Sequence, residues 1–232
     1  MDSCYGLPIP HVGAPPQWRE AGRVLKLHKK RDRYVVLILG GARSGKSRYA
    51  VHLAEKWFGK PLYLATAEAL DEEMAERIEI HKKARGTRWS CTEEPLDVAG
   101  VLRKLPAAHD GVLLDCVTLW LSNVLIRDGE DGFEQRRKEL LSALRNVRYG
   151  VILVSNEVGM GIVPEAELGR KFRDLAGRLN QDLAGEADTV VLVTAGLPAM
   201  LKGEMPKRIA PLPRAGQARR LPRYKRGGVP TG

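Results

Sequence analysis

The stretch Gly40-Gly41-Ala42-Arg43-Ser44-Gly45-Lys46-Ser47 combines residue types that hold phosphates at a spacing that lets them act together: a glycine, four residues, then Gly-Lys-Ser. In this P-loop pattern, exposed backbone N–H groups wrap phosphate oxygens, the lysine reaches the outer phosphates and the serine hydroxyl ligates Mg²⁺. A glycine-rich turn that served only the fold would need neither Lys46 nor Ser47. The loop therefore predicts a site for a nucleoside triphosphate, GTP or ATP, that binds together with Mg²⁺.

Strand-end acids are the next group with chemistry to offer. Asp115 ends the apolar run Gly111-Val112-Leu113-Leu114, and enzymes with such a loop hold their metal with the loop Ser/Thr plus an acid that ends a buried strand. Ser47 and Asp115 are therefore the predicted metal ligands. The plainer alternative is a strand-end acid that caps Thr118. Glu157 follows another apolar run and competes with Asp115 for metal or base duty; on sequence grounds both stay open.

His81 supplies a different chemistry. Arg77, His81 and Arg85 stand four residues apart in turn and so share one face of a helix. The flanking cations disfavour the imidazolium, which keeps His81 neutral, while the arginines attract phosphate oxygens. That is the setting of a nucleophile that attacks phosphorus. A half-exposed helix histidine is the bland reading, against which stand the cationic face and the phosphate loop. His11, His28, His52 and His109 have no comparable surroundings.

These residues need elements to position them. Val35-Val36-Leu37-Ile38-Leu39 reads as a buried strand that feeds the loop, and Tyr49, Leu53 and Trp57 mark the helix after it. Pro61 opens a second strand through Thr66. A helix follows over about 70–85, with Asp71, Glu72 and Glu73 in its first turn, Lys82, Lys83 and Arg85 in its last, and Gly86 at its C-cap. A short strand around 88–91 precedes a helix that Pro95 opens and that ends near 105. After the strand at 111–116, helices over 118–126 and 133–147 flank a turn at 128–132. A strand at 151–155, an amphipathic helix marked by Phe172, Leu175, Leu179 and Leu183, and a strand at 189–193 that closes the sheet complete the pattern. Strand and helix alternate, which predicts an α/β fold of the RecA-like P-loop NTPase type, with a largely parallel sheet flanked by helices. Ligands of such sheets gather at the C-terminal ends of the strands. The loop, Asp115, Ser155, Asn156 and Glu157 would all lie there.

The formal net charge of +10 suggests a nucleic-acid or membrane partner until it is divided along the chain. Residues 1–33 hold seven basic and three acidic residues and residues 202–232 hold nine and one, whereas residues 34–201 hold 22 and 24. The basicity belongs to the ends, which are rich in proline and lack apolar periodicity. They are expected to be a disordered leader (1–33) and a disordered tail (202–232) around one domain at 34–201. A nucleic-acid groove would need basic and aromatic residues interleaved on ordered elements, and the slightly acidic core argues against that class. Three cysteines, Cys4, Cys91 and Cys116, form no CxxC pair, which speaks against a zinc site or a disulfide framework. No apolar run approaches the roughly 18 residues of a membrane span, and the first residues lack the apolar core of a secretory signal. A cytoplasmic protein, bound neither to membrane nor to nucleic acid, is the expectation.

Together with the phosphate loop, Arg77-Ile78-Glu79-Ile80-His81, Leu114-Asp115-Cys116-Val117-Thr118-Leu119-Trp120-Leu121-Ser122-Asn123 and Val154-Ser155-Asn156-Glu157-Val158-Gly159 resemble the bifunctional adenosylcobinamide kinase/adenosylcobinamide-phosphate guanylyltransferase family. So do Val163-Pro164-Glu165, the run from Arg173 to Gln181, and Ala195-Gly196-Leu197-Pro198; the likeness extends from about Val35 to Leu201. It implies that a nucleoside triphosphate phosphorylates the aminopropanol hydroxyl of adenosylcobinamide. It further implies that His81 then takes GMP from GTP and passes it to adenosylcobinamide phosphate, giving adenosylcobinamide-GDP. The nucleotide-binding positions it implies are the loop residues Gly40, Gly41, Ala42, Arg43, Ser44, Gly45, Lys46 and Ser47, the strand end Ala65, Thr66 and Ala67, then Lys82, Lys83, Ala84, Arg85, Glu93 and Asp115. Lys82 and Gly86 depart from the arginine and proline common in the family, so phosphate contacts just after His81 would differ in geometry. A homo-oligomer is expected, because His81 on a helix apart from the loop leaves room for a neighbouring subunit to complete the site.

Overall fold

Strands whose residues are apolar without alternation need cover on both faces, and the chain supplies it. The computed structural model describes residues 33–67 and 89–205. The elements are β1 (Tyr34–Gly40), α1 (Lys46–Trp57), β2 (Pro61–Ala65), β3 (Ser90–Glu93), α2 (Val98–Arg103) and β4 (Gly111–Asp115), then α3 (Val117–Asn146), β5 (Gly150–Asn156), α4 (Glu167–Glu186), β6 (Thr189–Thr194) and β7 (Leu197–Lys202). The predicted helix over 70–85, and with it Arg77, His81, Lys82, Lys83, Ala84 and Arg85, lies outside the described residues, as do 1–32 and 206–232.

The strands form one sheet in the order β3-β2-β4-β5-β1-β6-β7. All neighbours run parallel except β6 and β7. Successive side chains of a strand point to opposite faces, and the core divides accordingly. Val35, Leu37 and Leu39 enter a cluster with Leu102, Trp120, Leu144 and Leu179. Val36 and Ile38 enter another with Ala50, Leu53 and Phe58. Helices α2, α3 and α4 thus cover one face and α1 the other, and each fully buried aliphatic side chain contributes about 1.5–3 kcal/mol. Among the described residues, no helix is long and apolar enough to cross a membrane.

Four local expectations are corrected. The helix expected to open at Pro95 begins at Val98, because the Asp97 side chain accepts from the Gly100 N–H at 2.8 Å and caps it there. Glu94 Oε1 accepts from the backbone N–H groups of Leu96 and Asp97, which makes the Pro95 segment a turn. The expected turn at 128–132 is a kink inside α3: only Gly129 leaves helical geometry, at φ 71°, and the helix resumes at once with Phe133 buried. β6 does not close the sheet, since Ala195 (φ 51°) and Gly196 (φ 79°) make a two-residue turn into the antiparallel β7. Two consecutive positive φ angles mark the type I′ hairpin, and alanine at its first position hides it from a sequence reading. The strand expected at 88–91 is placed at Ser90–Glu93, paired with β2.

Candidate functional site

The cradle is shaped by backbone geometry. Gly45 has φ 94° and precedes α1 with no side-chain cap, so the first N–H groups of α1 keep their donors for a ligand. The loop is closed by Ser44 N–H donating to Gly41 O at 3.2 Å, and braced by Gly196 N–H donating to Ser44 O at 2.8 Å. Arg43 sits in the left-handed region at φ 56°, a conformation that costs a non-glycine residue about 1–3 kcal/mol. The Ser44 hydroxyl is buried without a hydrogen-bond partner among the described residues, and an anion's oxygen would satisfy it. Gly41, Ala42 and Arg43 are exposed, and Ser47 is half-buried in the first turn of α1.

Lys46 is 8% exposed, and its Nζ donates to Gly41 O at 3.1 Å. Burial holds its pKa below the ordinary lysine value, an effect that its electrostatic interactions with Cys116 and Asp115 oppose. A buried ammonium at the mouth of a phosphate loop is a cation short of counter-charge, and phosphate would supply it.

The register places Ala65 level with both Glu93 and Asp115, so three of the expected positions share one row at the C-terminal edge. Asp115 does not cap Thr118. Its Oδ2 accepts from the Tyr63 hydroxyl at 3.0 Å, and α3 begins after Cys116 with no side-chain cap. The peptide bond between Asp115 and Cys116 is cis. Thr66 is fully buried: its Oγ1 donates to Cys116 O at 2.7 Å and accepts from Cys116 N–H at 3.0 Å, which ties the end of β2 to that of β4. Ala67 is half-buried and Glu93 exposed. Burial, with Asp115 next in effect, pushes the Cys116 thiol up to about 12, so it stays protonated at neutral pH.

Glu157 lies against the first residue of the cradle through its backbone, its N–H donating to Gly40 O at 3.0 Å. Its Oε1 accepts from Gly159 N–H at 3.0 Å. For a metal, the donors at hand are one hydroxyl, Ser47, and a carboxylate at a strand end. That set suits Mg²⁺, which keeps water and takes phosphate oxygens rather than filling an all-protein cage. The structure thus brings the loop, the Ala65-Thr66-Ala67 strand end, Glu93, Asp115 and Glu157 to one edge of the sheet, while His81, Lys82, Lys83, Ala84 and Arg85 lie outside the described residues.

Sequence reasoning assigned no role to several polar side chains behind this edge. Tyr63 orients Asp115, and Asn123, buried on α3, donates to Thr66 O at 2.7 Å and to Pro95 O at 3.3 Å. Thr118, Ser155 and Asn180 are also buried and mutually bonded. The usable signal was a polar residue on an otherwise apolar helix face or strand, which demands a partner when buried.

Residues 36–201 match the family model of cobinamide kinase / cobinamide phosphate guanyltransferase. The chain is 46% identical over 168 residues to the bifunctional adenosylcobalamin biosynthesis protein CobP of Pseudomonas aeruginosa, spanning 72% of this chain and 97% of that protein. It is 39% identical over 181 residues to the bifunctional adenosylcobalamin biosynthesis protein CobU of Escherichia coli, spanning 72% and 99%. The CobU of Salmonella typhimurium is similar at 40% identity over 181 residues, again spanning 72% of this chain and 99% of its own length. A solved KaiC-like protein from Pyrococcus horikoshii, 16% identical and covering 68% of this chain and 70% of its own, superposes with a TM-score of 0.39, a likeness too distant to bear on function. With most of the described chain inside the matched span, this protein belongs to the cobinamide kinase / cobinamide phosphate guanyltransferase family.

Proposed function

We propose that the chain performs both reactions of its family at a late stage of cobalamin biosynthesis. In the first, the aminopropanol hydroxyl of adenosylcobinamide attacks the γ-phosphorus of ATP or GTP, the bond to the nucleoside diphosphate breaks, and the hydroxyl proton is released. In the second, an imidazole nitrogen of His81 attacks the α-phosphorus of GTP and pyrophosphate leaves. A phosphate oxygen of adenosylcobinamide phosphate then attacks the same phosphorus, the N–P bond breaks and adenosylcobinamide-GDP forms.

The observation that carries this reading is the phosphate cradle itself: an uncapped helix start, a buried lysine and an orphan serine hydroxyl at the C-terminal edge of a parallel sheet. The loop residues and the start of α1 bind the phosphates, and Lys46 is drawn to the outer ones. Ser47 and Asp115 would hold Mg²⁺, with Tyr63 orienting the Asp115 carboxylate. Bound there, Mg²⁺ supplies neutralisation of the phosphate charge. Ala65, Thr66, Ala67 and Glu93 line the nucleotide from the neighbouring strand ends, and Lys82, Lys83, Ala84 and Arg85 grip it beside His81. The protein works as a cytoplasmic homo-oligomer, without nucleic acid or membrane.

Incubation with α-labelled GTP and Mg²⁺ tests the second reaction. The expected result is label on His81 through a phosphoramidate that survives base and breaks in acid, and its loss in His81→Ala. Label retained by His81→Ala, or none on the wild type, removes the guanylyl transfer. Phosphorylation of adenosylcobinamide without any label would leave a kinase alone.

A further inference from the structure

Four hydrogen bonds around Asn156, the last residue of β5, can be given donors and acceptors without ambiguity. Asn156 N–H donates to Thr118 Oγ1 at 2.7 Å. Ser155 Oγ donates to Asn180 Oδ1 at 2.7 Å, and Asn180 Nδ2 donates to Asn156 O at 3.1 Å. Thr118 Oγ1 and Ser155 Oγ lie 3.2 Å apart. A serine hydroxyl has one proton, and Ser155 has given its own to Asn180, so the proton between the two hydroxyls belongs to Thr118. The result is a closed circuit with every bond running the same way: Asn156 N–H to Thr118, Thr118 to Ser155, Ser155 to Asn180, and Asn180 back to Asn156 O.

Three side chains of the circuit are buried, and Asn156 is half-buried at the strand end. Thr118 is 7% exposed, Ser155 2% and Asn180 6%. Bonds in such a ring polarise one another, and a missing member takes a partner from each of its two neighbours. It also ties three elements together at one point, the first turn of α3, the end of β5 and the C-terminal half of α4. What it holds is the strand end next to the cradle: Asn156 stands in register with Gly40, and Glu157 N–H donates to Gly40 O.

We infer that Thr118, Ser155 and Asn180 are positioning residues for phosphoryl transfer, acting through Asn156 and Glu157 on the first residue of the phosphate loop. The inference rests on the kinase reading for its activity readout, and on Glu157 alone for its structural one. None of the three side chains needs to touch the nucleotide. Their effect is on how well the strand end and the loop are held relative to each other when the phosphates are in place, which governs turnover more than affinity.

The test compares Thr118→Val, Thr118→Ser and Asn180→Asp with the wild type. Valine keeps the shape of threonine and removes the hydroxyl; serine keeps the hydroxyl; aspartate replaces the Asn180 donor by an oxygen that repels Asn156 O. Expected for Thr118→Val and Asn180→Asp is a fall in kcat for cobinamide phosphorylation of about ten- to a hundredfold, with KM for the nucleotide changed by less than about threefold. Thr118→Ser restores kcat to within about threefold of wild type. Amide exchange at Glu157, read by NMR on the nucleotide-free protein, accelerates in Thr118→Val and returns to the wild-type rate in Thr118→Ser. This second readout needs no turnover, so it judges the inference even if the wild type fails to phosphorylate cobinamide, an outcome that would sink the kinase reading instead. The inference is overturned if Glu157 exchange is unchanged in Thr118→Val, or if Thr118→Ser behaves as Thr118→Val does. Should Asn180→Asp not fold, the threonine pair decides.

Discussion

Gly40→Ala is the substitution whose outcome the local geometry specifies most fully. A methyl group at residue 40 would lie 2.5 Å from Ser44 Oγ and 2.5 Å from Val193 O. Ser44 can turn its side chain away. Val193 O cannot, because it belongs to β6, which is paired on one side with β1 and on the other with β7. Carbon and oxygen in such contacts rest at about 3.3 Å or more, so the strands must separate by most of an ångström or residue 40 must move. Overpacking of this kind costs about 1–3 kcal/mol. For a chain of this size, about 2 kcal/mol corresponds to a fall in Tm of about 4–8 °C. Gly41→Ala is the control, since nothing lies within 4 Å of its added methyl; its Tm should match wild type. The assay is thermal unfolding followed by circular dichroism, with GTP titration by calorimetry on each variant. Gly40→Ala should lose stability and bind GTP about tenfold more weakly, because residue 40 carries the loop with it. A Gly40→Ala protein that melts with wild type, or a Gly41→Ala protein that melts as low as Gly40→Ala, would refute the steric argument.

Lys46→Met should abolish tight GTP binding without lowering Tm, because the buried ammonium is held at a desolvation cost that the apolar chain does not incur. The proton linkage has a definite sign. With its pKa held below 10.5 in the folded state, Lys46 carries fewer protons folded than unfolded in the window below that value, so its contribution to stability rises as pH climbs through it. Phosphate beside it favours the ammonium again. GTP binding at alkaline pH should therefore take up a proton, seen by calorimetry in buffers of different ionisation enthalpy, and Lys46→Met should not. For Cys116, a maleimide at pH 8 should leave the native thiol unmodified while the unfolded chain reacts, read by peptide mass; burial and Asp115 hold that thiol at about 12. Native modification of Cys116 at the rate of exposed Cys91 would show that the strand end at Asp115 opens freely.

Much of the architecture was legible because it depends on local pattern. The runs at 35–39, 112–114 and 151–154 have no polar residue, and short, β-branched runs of that kind between turn residues read as strands covered on both faces. The errors came where a local rule met a competing partner. Pro95 is a good first helical residue, but the Asp97 carboxylate and Gly100 N–H made a better start three residues on. Residues 128–132 look like a turn, yet a single glycine absorbs the kink while Phe133 and Leu140 hold the helix on the core. The hairpin at Ala195 and Gly196 carried no signal strong enough to add a strand.

The chemistry divides along the same line. Glycine spacing, Lys46, Ser47 and a strand-end acid name a phosphate site from sequence alone, because the backbone donors of a loop and a helix start are local and the motif specifies both. What holds that site is not local. Tyr63 reaches Asp115 across 52 residues, Thr66 reaches Cys116 across 50, and Asn180 reaches Asn156 across 24. Each of these side chains is an ordinary polar residue in its own segment. Only the packing of strand ends and helices into one edge removes water from them, and a polar group deprived of water must find another polar group. The sequence alone marked Gly40 to Ser47 as the expected phosphate site; the tertiary structure decided which buried hydroxyls and amides pack behind that loop and its neighbouring acids.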